Sequence, residues 1–161
     1  MYRYAAASLT SSRAACEPDG TTGRVLAAGQ GRAVPAGPFD MRVKVESAET
    51  GGAFAFIEYT LPVNVWEGPA PHVHHAGSEM FYVLEGTLQM LVGDESVAVA
   101  AGTCVHVPSG AVHAFANPGL SAVRFLQIVS PGSMLTMIED RWLAGSWHPG
   151  PRPDCRDFSL A

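Results

Sequence analysis

The sequence predicts an all-β sandwich or barrel closed by one C-terminal helix, and three observations carry that expectation. Apolar and polar residues alternate in many short runs, the period of a half-buried strand. Glycine and proline punctuate those runs at close spacing, as in sandwiches and barrels. Only one stretch, near the C-terminus, carries a convincing helical period.

In chain order, residues 1–24 are Ala-, Ser-, Thr- and Gly-rich and read as an arm, with Gly29 to Pro38 as a loop. Met41–Glu46 alternates as a strand, Thr50-Gly51-Gly52 turns, and Ala53–Leu61 forms the second strand. Strands follow at Glu79–Leu84, Thr87–Val92, Ser96–Ala100, Gly102–Val107, His113–Ala116 and Ser121–Ile128. Ser133–Leu143 is the helix: Ser133 is placed to cap it, Met134, Ile138 and Trp142 share a face, and Gly145 follows its end. The proline-rich stretch from Trp147 onward reads as an extended strap. The expected boundaries are an arm and loop over 1–39, a barrel over 40–131, and a helix and tail over 132–161.

At 161 residues the chain suits one domain with a substantial core. A net charge of −5, with Lys44 the only lysine, argues against a nucleic-acid face or an anionic membrane surface. No apolar run has the length of a membrane span. Three widely spaced cysteines, Cys16, Cys104 and Cys155, imply no disulfide framework, and the expected location is cytoplasmic.

The chemistry concentrates in Pro71-His72-Val73-His74-His75-Ala76-Gly77-Ser78-Glu79. On a strand His72 and His74 point the same way, which makes half of a metal site. Glu79 heads an apolar strand, where an unpaired carboxylate is costly and needs a partner. Further on, Gly102 opens a strand, Pro108-Ser109-Gly110 reads as a tight turn, and His113 begins the return. The first stretch matches H-x-H-x4-E-x6-G through His72, His74, Glu79 and Gly86. The second matches G-x5-P-x-G-x2-H-x3-N through Gly102, Pro108, Gly110, His113 and Asn117. With both motifs in order over residues 40 to 131, the chain resembles a cupin. One departure is Trp66, which stands where the family opens its first motif with glycine; Gly68 lies nearer the site.

The resemblance implies a double-stranded β-helix, or jelly-roll barrel. It implies one divalent transition metal (Fe, Mn, Ni, Co, Cu or Zn) on His72, His74, Glu79 and His113, donors that do not choose among those ions. Phe81, Val83 and Phe115 share parity with the ligands and are expected to line an apolar substrate pocket. His75 is expected to face away from the metal, His106 to be a structural histidine, and Cys104 to be a small buried hydrophobe. The stretches around Gly51-Gly52-Ala53-Phe54 and the two motifs look like the quercetinase-like single-domain cupins. By that analogy the chain is an oxygen-dependent dioxygenase of a small aromatic or phenolic molecule, with Glu79 both ligand and base. A non-oxidative cupin (isomerase, cyclase, dehydratase or decarboxylase) and a non-catalytic binding module are the alternatives. The resemblance, together with the early strand Met41–Glu46 as an unprotected edge, also implies a homodimer.

Overall fold

The computed structural model describes residues 23–27, 29–65 and 68–145. The expected arm over residues 1–22, Trp66, His148 and the tail strap lie outside the described residues. Nine strands and one helix occur among them: β1 (Arg32–Ala36), β2 (Phe39–Val45), β3 (Ala55–Leu61), β4 (Ser78–Glu85), β5 (Thr87–Val92), β6 (Glu95–Ala100), β7 (Cys104–Val107), β8 (His113–Ala116), β9 (Val123–Ser130) and α1 (Met134–Leu143). They form a six-stranded sheet in the order β1-β2-β3-β9-β4-β7 and a three-stranded sheet in the order β6-β5-β8. Every pairing is antiparallel.

Alternation sets which residues meet between the sheets. Ile57, Tyr59 and Leu61 on β3, Phe81 and Val83 on β4, Leu88 and Met90 on β5, and Phe125 and Val129 on β9 are all almost wholly buried. Aromatic rings fill the middle: Tyr59 stacks on Phe125 at 5.1 Å between centroids, and Phe115 meets Phe125 edge-on at 5.3 Å. Such offset and edge-on contacts are the ones the ring quadrupoles favour. Helix α1 places Met134, Leu135 and Ile138 against this core, and Trp142 stands edge-on to Phe39 at 5.0 Å.

Three expectations are corrected. The loop over Gly29 to Pro38 contains β1, whose inward side chains are only Val34 and Ala36, so the alternation is muted. Pro35 is tolerated there because β1 is an edge strand, where a missing N–H breaks no second ladder. With β1 on one side and β3 on the other, β2 is not an unprotected edge; the edges of this sheet are β1 and β7. Ser133 makes no side-chain cap: its backbone is already helical, and the N–H of Met134 donates to the Pro131 carbonyl instead. Gly145, with φ of 60°, ends the helix as expected.

The outer face of the larger sheet carries an ion cluster across β2, β3 and β9. Lys44 Nζ lies 2.5 Å from Glu58 Oε2, and Arg124 Nη1 lies 3.2 Å from Glu58 Oε1. Burial pushes the Glu58 carboxyl up, but Lys44 and then Arg124 outweigh it and hold it below its ordinary value of 4.5. A carboxyl depressed in the folded state stabilises fully above that ordinary value, and the contribution disappears as pH falls through the folded value. Glu58→Gln, which leaves the buried Lys44 without its counter-charge, is expected to cost about 1–3 kcal/mol at neutral pH. Its stability should also fall less steeply than the parent's below pH 4.5. Denaturant unfolding across an acid series checks both; an unchanged acid limb would remove Glu58 from the account.

Candidate metal centre

Backbone pairing builds the site before any side chain is considered. His72 sits in an isolated bridge with His113, each donating its N–H to the other's carbonyl at 3.0 and 2.9 Å. The two histidines around Val73 therefore lie on a bridge and an irregular turn, not on the regular strand that the spacing suggests. The N–H of Gly110 donates to the His74 carbonyl at 2.9 Å, and the Ser109 hydroxyl donates to the His75 carbonyl at 2.8 Å. The Pro108-Ser109-Gly110 turn thus clamps the histidine stretch against β8. Glu79 is the second residue of β4, and β4 is held between β7 and β9.

Two other motif residues are structural. Asn117 is wholly buried; its amide donates to the carbonyls of Pro62 and Ser121 at 2.8 and 2.9 Å, and its oxygen accepts from the Gly119 N–H at 3.1 Å. It ties the segment before the histidines to the loop leaving β8. Gly68 explains the departure in the first motif. A Cβ there would lie 1.8 Å from the Phe115 carbonyl oxygen, so the close approach to β8 needs a glycine at this position.

The side chains then converge. The ligand-type nitrogens of His72, His74 and His113 all lie within 4.8 Å of one another. His74 Nε2 is 3.2 Å from Glu79 Oε1, and His113 Nε2 is 3.1 Å from Glu79 Oε2. His72 donates from Nδ1 to the Ala70 carbonyl at 2.8 Å, and His113 donates from Nδ1 to the Ala111 carbonyl at 3.1 Å. Each bond places the ring proton on Nδ1, the tautomer in which Nε2 carries a lone pair. His74, Glu79 and His113 are buried, whereas His72 retains partial exposure and marks the open side.

The electrostatics are those of a site short of positive charge. Burial pushes the Glu79 carboxyl up, but His113 and then His74 outweigh burial and hold it down at about 2. Burial opposes a charge on His113, yet the Glu79 carboxylate 3.1 Å away raises it above the ordinary imidazole value. Burial first, and repulsion from His113 second, push His72 down to about 4.

These residues fit a metal ion. His74 Nε2 and His113 Nε2 are buried with no hydrogen-bond partner among the described residues, which is costly for polar atoms unless something occupies the space they face. Three imidazoles and a carboxylate at the mouth of a barrel supply nitrogen and oxygen donors without thiolate.

The remaining sequence expectations divide. Phe81, Val83 and Phe115 face the interior as their parity requires, with Phe81 and Val83 fully buried and Phe115 almost so. Phe81 stands 6.5 Å from the His113 ring, directly beneath the site. His75 is exposed and turned away, and His106 is exposed on β7. Cys104 is exposed rather than buried, because it lies on the outer face of an edge strand opposite Tyr82. Gln127 on β9 was not singled out from the sequence. Yet it is buried among the interior residues with its Oε1 unpaired, and its parity with Phe125 and Val129 was the available signal.

A family model described as a cupin domain matches residues 58–129, the segment that holds both motifs. Over that segment the chain is a cupin domain. This cupin is 29% identical over 98 residues, 61% of its length, to the quercetin 2,3-dioxygenase of Bacillus subtilis strain 168. The alignment covers 28% of that enzyme, and the other two of the first three curated relatives are covered over 12% and 13% of their length. Among solved structures it is similar to KdgF from Halomonas sp., with a TM-score of 0.58 and 13% identity over 68% of this chain and 94% of that one. It is also similar to the polyketide cyclase RemF from Streptomyces resistomycificus, with a TM-score of 0.52 and 24% identity over 62% of this chain and 69% of that one. At these identities the two structures speak for the fold.

Elemental analysis of protein purified without added metal is expected to find about one equivalent of a divalent transition metal per chain. Replacing His74 and His113 together with Ala should abolish it with little change in far-ultraviolet circular dichroism. Retention of a full equivalent by that double variant would move the metal elsewhere.

Proposed function

We propose that this cupin is a mononuclear metal-dependent enzyme acting on a small aromatic or phenolic molecule, with dioxygen as co-substrate. The observation that carries the reading is the convergence of three imidazoles and Glu79 on one point at the half-open end of an apolar barrel. The similarity to a quercetin 2,3-dioxygenase supports the substrate class and the oxidant. His72, His74, Glu79 and His113 would hold the ion. Bound there, a divalent metal supplies Lewis acidity toward a phenolic oxygen and positions for exchangeable ligands.

The chain's own residues do the rest. The carbonyls of Ala70 and Ala111 keep His72 and His113 aimed by holding their Nδ1 protons. Phe81 and Phe115, backed by Tyr59 and Phe125, close the barrel below the site and keep water from reaching it from that direction. With Phe81 and Val83 wholly buried, an aromatic substrate meets the site from the His72 side and rests on the Phe115 edge of the ring cluster. Glu79 is the group that accepts a proton. Its carboxyl is ionised at neutral pH, and its two oxygens lie close to two different imidazoles, so one carboxylate oxygen can take the phenolic proton.

The same Glu79 supports a second reading. Proton abstraction next to a carbonyl needs no oxidant, so an isomerase, cyclase, dehydratase or decarboxylase would use the same residues. Oxygen consumption separates the two. With metal-loaded protein and a panel of catechols and flavonols, the first reading expects uptake of dioxygen in step with substrate loss. Substrate loss without uptake selects the second reading, and binding with no turnover leaves a ligand-binding module. Glu79→Gln, which keeps an oxygen donor and removes the basicity, is expected to retain metal and lose about 10²-fold or more in turnover. Full activity of that loaded variant would transfer the base role to substrate oxygen or hydroxide.

We also propose a homodimer, with β1 as the edge strand that a second copy covers. Light scattering across the micromolar range should give twice the chain mass; a concentration-independent monomer mass would exclude it.

A further inference from the structure

The interior face of the larger sheet is apolar except at a few positions, and two of them are unexplained acceptors. Gln127 is 3% exposed, and its Oε1 has no hydrogen-bond partner. Glu79 is 2% exposed, and its Oε1 makes no hydrogen bond although it lies 3.2 Å from His74 Nε2. The two belong to adjacent strands. On the β4–β9 ladder Glu79 lies opposite Val129 and Phe81 lies opposite Gln127, so Glu79 and Gln127 are diagonal neighbours on one face. Diagonal pairs have backbones roughly 7–8 Å apart, within reach of long side chains. Gln127 is also flanked by Ile57 on β3, directly opposite in register. An amide set between Phe81 and Ile57 gains nothing from its surroundings that a leucine or methionine would not gain more cheaply.

We infer that Gln127 is a positioning residue for Glu79: it holds a water whose two hydrogens reach the free oxygens of the amide and of the carboxylate. Two acceptors on diagonal positions of one sheet face cannot bond each other, and a single water can donate to both. The bridge gives the oxygen of Glu79 that is not on the metal a fixed partner, and thereby fixes the direction in which the other oxygen points. Partners of this kind behind a metal ligand change metal affinity by about 10- to 100-fold when removed. The inference rests on the metal reading of the preceding section.

Gln127→Met tests it, since methionine keeps the length and volume and removes both hydrogen-bonding atoms. The probe is cobalt(II), titrated against a chelator of known affinity and followed by visible absorption, alongside denaturant unfolding of the metal-free proteins. The expected result is a split. The metal-free Gln127→Met protein is as stable as the parent or more so, because an orphaned polar group has left the core. Its cobalt dissociation constant nevertheless rises about tenfold, and the absorption band changes shape. In a Glu79→Gln background the same substitution should change cobalt affinity little, because the carboxylate through which Gln127 acts is gone.

Unchanged cobalt affinity in Gln127→Met would overturn the inference, as would an equal loss in both backgrounds. A loss of cobalt affinity that merely tracks a loss of folding stability would overturn it too, since that is what a packing residue would show. If the Glu79→Gln background binds too weakly to titrate, the split between stability and affinity in the single variant decides. If the parent protein itself binds no cobalt, the metal reading fails and this role fails with it, whereas parent binding with an unaffected Gln127→Met variant sinks this role alone.

Discussion

A carboxylate placed inside an apolar barrel has to be compensated, and much of the site follows from how Glu79 is compensated. Its own strand offers no cation, and at 2% exposure water contributes almost nothing. The nearest relief is two imidazoles at just over 3 Å, one from the histidine stretch before β4 and one from the start of β8. Without metal, that arrangement favours a proton on the His113 side, which is why the carboxyl is held down while the His113 imidazole is raised. His72 is driven the other way, toward the neutral form. A metal and a proton thus compete for the same position, and the balance is tilted by one ring that resists protonation.

Placing three rings and a carboxylate within bonding distance of one point is a problem of backbone precision. The solution is a set of short cross-links: His72 to His113 in both directions, Gly110 to His74, and Val65 to Asn117. Each joins the segment before β4 to the turn or strand around β8, so the two motifs are one unit in space. Asn117 and Gly68 belong to the same device, one by bonding across the gap and the other by having no side chain to keep the backbones apart. Behind them the aromatic cluster supplies an apolar, low-dielectric floor, which strengthens every electrostatic interaction above it.

How much of this was legible in the sequence depended on whether the physics was local. Strands with large alternating side chains, such as Phe81-Tyr82-Val83 and Met90-Leu91-Val92, were readable within a residue or two at their ends. Strand β1 was not, because Ala33, Val34, Pro35 and Ala36 give small inward groups and a breaker on an edge. The four converging side chains were nameable from the sequence because their spacing is set by one bridge and one turn. Cys104 was misplaced because burial of its strand's outer face depends on which strands lie beside it, and only the sheet order shows that β7 is last. Ser133 was a reasonable cap by residue type; the turn at Pro131 had already taken the N–H it would have bonded.

The fold also constrains where reactions can occur. In a barrel whose middle is filled by Tyr59, Phe81, Phe115 and Phe125, chemistry cannot move inward, so it is confined to the plane of the imidazoles and the space on the His72 side. Packing of this density resists rearrangement, and opening a channel between the rings would forfeit contacts that a small core needs. Under the proposed function, substrate selection would fall to the rim, while the interior fixes the geometry of the converging side chains. That division explains how barrels of one shape are compatible with many reactions. The interior can stay constant in its demands on packing, and the rim can vary without disturbing the buried carboxylate on which the site depends.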